Sequence, residues 1–108
     1  MSNELVSDSD VSKALDYLRD SAVPLGKITE RATFASSYTK HVKALEMKRF
    51  DGSAAAQERE ALAGERYLES IKDEAEAVGE VATARAYREA AMAKIDVWRT
   101  QSRNMRER

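Results

Sequence analysis

An all-α fold, a helical hairpin ending in one very long helix, is predicted for this chain by three observations. The stretch from Glu65 to about Glu107 holds no proline and a single glycine, Gly79. Its apolar residues recur at three- and four-residue steps, first Leu68, Ile71, Ala75, Val78 and Ala82, then Ala91, Ile95, Trp98 and Met105, the spacing of one helix face. Charged residues make up 34% of the chain and nearly cancel, 18 basic against 19 acidic for a net charge of -1. Such a balance at helical period marks long helices and coiled coils. At ~1.5 Å per residue the stretch would run ~60 Å, about twice the length of a helix that crosses a small domain.

The elements follow in order within a single helical domain, residues 1–108. Residues 1–10 are polar and predicted to fray, with Ser7 to Asp10 offering an N-cap. A short first helix is expected over about 11–21, with Val11, Leu15, Leu18 and Ala22 on one face. Pro24 lacks a backbone N–H and pushes Val23 out of the helical region, so a corner is expected between Ala22 and Gly26. A second helix over about 25–49 carries Leu25, Ile28, Ala32, Ala35, Tyr38, Val42 and Leu45 at the same stepping. Phe50-Asp51-Gly52-Ser53 ends it, Gly52 suiting a left-handed position and Ser53 a cap. Residues 54–63 are helix formers, either a separate short helix or the first turns of the long one, with a corner at Ala63-Gly64 before the last helix, 65–107. The short connection implies an antiparallel hairpin.

A second helix of about 25 residues spans only ~38 Å, so roughly the last third of the long helix outruns it unless the first helix folds back alongside. That third holds Ile95, Trp98 and Met105. Each apolar side chain left in water forgoes about 1.5–3 kcal/mol of burial. These three are therefore the expected partner-binding residues of a coiled-coil-like oligomer, a dimer or larger.

No catalytic, metal or cofactor site is expected. The single histidine, His41, has no Glu-x-x-His spacing or nucleophile around it and reads as a surface residue. Glu65, Glu69, Asp73, Glu76 and Glu80 lie along one helix edge, which spreads carboxylates apart rather than converging them on a divalent ion. Phosphate loops, nucleophile elbows and zinc spacings are missing from the sequence. The chain has no cysteine, consistent with a reducing compartment. An acidic N-terminus and the want of a long apolar run disfavour secretion and membrane spanning, so a cytoplasmic protein is expected.

Charge is nonetheless uneven. Residues 58–80 hold eight acids against three bases, whereas Lys40, Lys43, Lys48 and Arg49 make one basic end and Arg99, Arg103, Arg106 and Arg108 another. Arginines pair with phosphates and the Trp98 indole can stack on a base, so single-stranded nucleic acid is a permitted ligand of these ends. The competing reading weighs more: cations complement a helix C-terminus, and Trp98 stands in register with Ile95 and Met105 as a packing residue. A net charge of -1 also speaks against a direct nucleic-acid binder.

Gln57-Glu58-Arg59-Glu60-Ala61, Glu65-Arg66-Tyr67 and Ala90-Ala91-Met92-Ala93-Lys94-Ile95-Asp96-Val97-Trp98-Arg99-Thr100-Gln101-Ser102 resemble segments of small all-helical proteins of unknown function encoded by tailed bacteriophages and prophages. The resemblance covers about half the chain, mostly Ser53 to Arg103, and its most specific part is the Ile-Asp-Val-Trp-Arg-Thr run. It implies an intracellular role near phage DNA metabolism, and the leading expectation is a self-associating, non-enzymatic helical protein acting as an accessory or inhibitor of a DNA-processing protein. No catalytic residue comes with it. Relatives commonly carry proline near the corner where this chain has Gly64.

Overall fold

A computed structural model describes residues 5–106, which form three helices and no strand. Helix α1 is Asp8–Met47, α2 is Ala54–Ala63 and α3 is Glu65–Arg106. The chain divides into two compact units: a terminal unit of Met1–Gly26 with Ala82–Arg108, and a turn unit of Lys27–Val81.

The cap of α1 is Ser7. Asp10 N–H donates to the Ser7 hydroxyl at 3.0 Å, and Ser7 N–H donates to the Asp10 carboxylate at 3.0 Å, a reciprocal capping box that satisfies two end donors. The helix therefore starts at Asp8, three residues before the expected start at Val11. The backbone N–H of Ser7, followed by its hydroxyl, Lys94 and Lys13, lowers the Asp10 carboxyl below the usual aspartate range. A depressed carboxyl stabilises the fold above the ordinary aspartate range and loses that contribution as pH falls through and below it. Acid titration followed by NMR should thus show the first turn of α1 loosening in that window, and Asp10→Asn should remove the pH dependence there.

The expected corner at Pro24 does not form. Pro24 lies inside α1, so the predicted helices 11–21 and 25–49 are one helix of 40 residues. The inward positions of the terminal unit explain why. Val11 and Ala14 are buried and Leu18, Ser21 and Leu25 half-buried, stepping three and four through the proline. Breaking the helix would lose burial on one side of it, about 1.5–3 kcal/mol for each fully buried apolar group, against ~3 kcal/mol for a helical proline. Pro24 itself is exposed, so its ring does not crowd the seam. Arg88 Nη1 braces the preceding turn, donating to the Leu18 carbonyl at 2.8 Å and also to the Ser21 hydroxyl.

In the terminal unit the two helices run antiparallel: Trp98 meets Asp8, Gln101 meets Val6 and Arg88 meets Leu18. Inward positions of α3 here are Ala84, Arg88, Ala91, Ile95, Trp98 and Ser102. The Gln101 side-chain amide accepts from Val6 N–H at 2.9 Å and donates to the Val6 carbonyl at 3.0 Å, holding the segment before α1.

The turn unit is built on the same stepping. Thr39, Val42 and Glu46 of α1 and Ser70, Ala77 and Val81 of α3 are buried, with Ala32, Ala35, Tyr67 and Glu74 half-buried. Strict three-four spacing is the heptad period of helices that coil about one another, and alanine at many inward positions lets the axes approach closely. The Thr39 hydroxyl donates to the Ser70 carbonyl across the seam at 3.2 Å and to the Ala35 carbonyl at 3.0 Å. Buried Glu46 accepts from Arg49 at 2.8 Å, with Arg66 at 3.9 Å. Arg31 pairs with Glu80 at 2.7 Å, which raises the Arg31 pKa.

Gly52 takes the left-handed conformation with φ 111°, as its position before the cap requires. Ser53 accepts from Ala56 N–H at 3.2 Å, and α2 forms separately because the chain turns extended at Gly64, φ -81° and ψ 157°. Gln57 donates to the Phe50 carbonyl at 2.7 Å and Lys43 pairs with Glu58 at 3.0 Å, fastening α2 to the end of α1. Ala61, 1% exposed, is the most covered core residue.

Candidate functional site

The outer face of α3 differs from the sequence expectation. Leu68, Ile71, Ala75, Val78 and Ala82, expected on the same helix face as Ala91, Ile95 and Trp98, are all exposed, with Leu68 at 49%, Ile71 at 40% and Val78 at 50%. The inward residues are their neighbours Tyr67, Ser70, Glu74, Ala77 and Val81. The physical reason is register: Ala91, Ile95 and Trp98 are on the inward face, and stepping back from Ala91 in strictly alternating threes and fours reaches Arg88, Ala84, Val81 and Ala77, which leaves Val78 and Ala82 off that series. The larger apolar groups of the first half of α3 therefore form an outward stripe.

Of the three expected partner-binding residues, Ile95 and Trp98 are half-buried on the inward face of the terminal unit, and Met105 is 72% exposed. Trp98 Nε1 donates to Asp8 Oδ1 at 2.8 Å, because α1 continues past Pro24 and brings its first turn beside the last third of α3. Trp98→Ala should destabilise the chain by about 2 kcal/mol, below the 3–5 kcal/mol of a fully buried tryptophan. Urea unfolding at fixed protein concentration measures it, and a change under ~0.5 kcal/mol would show that the indole contributes no packing.

The candidate cations fall into separate units. Lys40, Lys43, Lys48 and Arg49 belong to the turn unit and Arg99, Arg103 and Arg106 to the terminal unit, while Arg108 lies outside the described residues. Lys43 is engaged by Glu58, Arg49 by Glu46, and Arg99 by Asp96 at 3.5 Å. Lys40, Lys48, Arg103 and Arg106 are exposed. His41 is exposed and tilted against Tyr38, ring centroids 6.3 Å apart. Among the described residues no cluster of three His, Cys, Asp or Glu is arranged to hold a metal ion, and no helix is long and apolar enough to cross a membrane.

One feature was not anticipated from the sequence: a shallow groove of about 240 Å³ in the terminal unit, bordered by Lys13, Tyr17, Tyr87 and Lys94 with Ala14 and Ala91 beneath. It is smaller than the ~300–1,000 Å³ of small-molecule sites. Lys13 and Tyr17 are four residues apart on α1, as are Ala90 and Lys94 on α3, which is the signal that could have shown one edge; the pairing of the two helices supplies the rest.

These features define an all-helical protein with a long C-terminal helix whose exposed chemistry lies along helix faces. No family model, curated protein or solved structure matches the chain.

Proposed function

We propose that this chain is a non-enzymatic helical interaction protein that self-associates and acts as an accessory or inhibitor of a DNA-processing protein in phage replication or recombination, in the host cytoplasm. The observation that carries self-association is the apolar surface of the turn unit, where Phe34, Tyr38, Leu45, Leu68, Ile71 and Val78 are all exposed. Among the described residues no large side chain is fully buried, and the buried apolar residues are all alanines and valines. Covering further apolar groups adds about 1.5–3 kcal/mol for each one fully buried. The DNA-processing setting rests on the likeness of Ser53 to Arg103 to phage-encoded helical proteins.

Sedimentation equilibrium across micromolar concentrations tests the reading, with a dimer or larger assembly as the expected result and a monomer throughout as the result that overturns it. The nucleic-acid arm uses a single-stranded oligonucleotide at graded salt. No binding is expected. Affinity that falls by about 0.7 decade per phosphate contact for each decade of salt, and is lost when Arg99, Arg103 and Arg106 become glutamine, would make the protein a direct single-strand binder instead.

A further inference from the structure

The outward stripe of α3 has an order to it. Its large residues, Leu68 and Ile71, come first, and its small ones, Ala75, Gly79 and Ala82, follow, with Val78 between. Gly79 is exposed in mid-helix, and a Cβ added there would meet nothing within 4 Å. The chain's own packing therefore does not call for glycine, although glycine in a helix costs about 1 kcal/mol relative to alanine. The space over Gly79 is open to a neighbour from outside the chain.

We propose that α3 pairs with α3 of a second copy, antiparallel about a two-fold axis at Ala75, through Leu68, Ile71, Ala75, Val78 and Gly79. The proposal rests on the self-association reading and names its surface. Antiparallel pairing about Ala75 sets Leu68 opposite the partner's Ala82, Ile71 opposite the partner's Gly79, and Val78 over the aliphatic stem of the partner's Lys72. Large meets small at each step, as interdigitating seams require. In-register parallel pairing would instead set leucine on leucine and glycine on glycine, leaving a void. Between the two directions charge favours the antiparallel one, at the cost of setting Glu76 of each copy opposite the partner's Glu74. Glu65 and Arg85 stand 20 residues apart on one helix, both exposed and neither in an ion pair among the described residues. The antiparallel copy places Glu65 of each chain against Arg85 of the other, whereas parallel pairing opposes like charges. A two-fold axis makes every such contact occur twice, the self-complementarity of an isologous dimer.

Three sets of variants test it by sedimentation velocity. Gly79→Leu fills the room needed by the partner's Ile71 and should weaken the dimer about tenfold or more, while circular dichroism of the diluted chain shows undiminished helix, since leucine is the better helix former. Glu65→Arg and Arg85→Glu should each weaken association, and the double exchange should restore it. The chain has no cysteine, so Ala75→Cys introduces a single thiol at the axis. It should form an oxidised covalent dimer, whereas Ala82→Cys, about 21 Å along the helix from its counterpart, should not. A dimeric wild type with unrescued charge variants and no Ala75→Cys cross-link would overturn this surface and leave self-association standing. A monomeric wild type would overturn both.

Discussion

Pro24→Ala is expected to raise the stability of the chain by about 2 kcal/mol. A proline inside a helix costs ~3 kcal/mol relative to alanine, because it cannot donate to the carbonyl four residues earlier and its ring crowds that carbonyl. Part of this is returned by the unfolded state, in which alanine is freer than proline by about 0.4–1 kcal/mol. Pro24 is exposed, so little packing is lost with the ring. Urea unfolding at fixed protein concentration should give a higher midpoint at unchanged slope. The thermal midpoint should rise by about 10 °C. A lower midpoint would mean that Pro24 is needed for the Arg88 brace onto Leu18 and Ser21.

Ala77→Leu should cost about 3 kcal/mol. Ala77 is 2% exposed on the inward face of α3, where the seam is narrow because so many of its residues are small. Three added carbons have no free volume to enter, and overpacking of a fitted core costs ~1–3 kcal/mol. The neighbouring turn carries the Arg31–Glu80 ion pair at 2.7 Å, which the same displacement should strain. The matching control is Ala44→Leu on the exposed side of α1, expected to stay within ~0.5 kcal/mol of wild type. Equal midpoints for the two variants would show that the seam is loose at Ala77.

The helical class, the long last helix, the turn at Gly52 and the Ser53 cap were legible in the sequence, because each is a local matter of residue type, whereas the residues around Gly64 fitted a break and a continuous helix equally well. Two features were not. Pro24 carries a strong local signal for a break, and only the partner helix, invisible in a linear reading, outweighs it. The inward face of α3 was misread for a related reason. Leu68 and Ile71 are larger and more apolar than Ser70 and Ala77, so hydrophobicity alone puts the wrong stripe inside. The spacing itself held the correction, since nine residues separate Ala82 from Ala91 and no run of three-four heptad steps joins them. Of the candidate site residues, Trp98 and Ile95 were recognisable as packing groups, but their cover comes from the start of α1, some ninety residues away in the chain.

The cross-helix bonds are graded by how much chain each one closes. Gln57 reaches Phe50 across seven residues, Lys43 reaches Glu58 across 15, Thr39 reaches Ser70 across 31, Arg88 reaches Leu18 across 70 and Gln101 reaches Val6 across 95. Loop-closure entropy grows with the logarithm of loop length, so forming the last of these directly costs about 1.6 kcal/mol more than forming the Lys43–Glu58 pair. Each closure shortens the free loop left to the next, which makes zipping outward from Gly52 the cheapest route to the native pairing. For an all-helical chain the contacts are unusually distant in sequence, and folding should be slower than in bundles of locally packed helices. The Gln101 amide on Val6 is the last link closed on that route and the first to open on the way back.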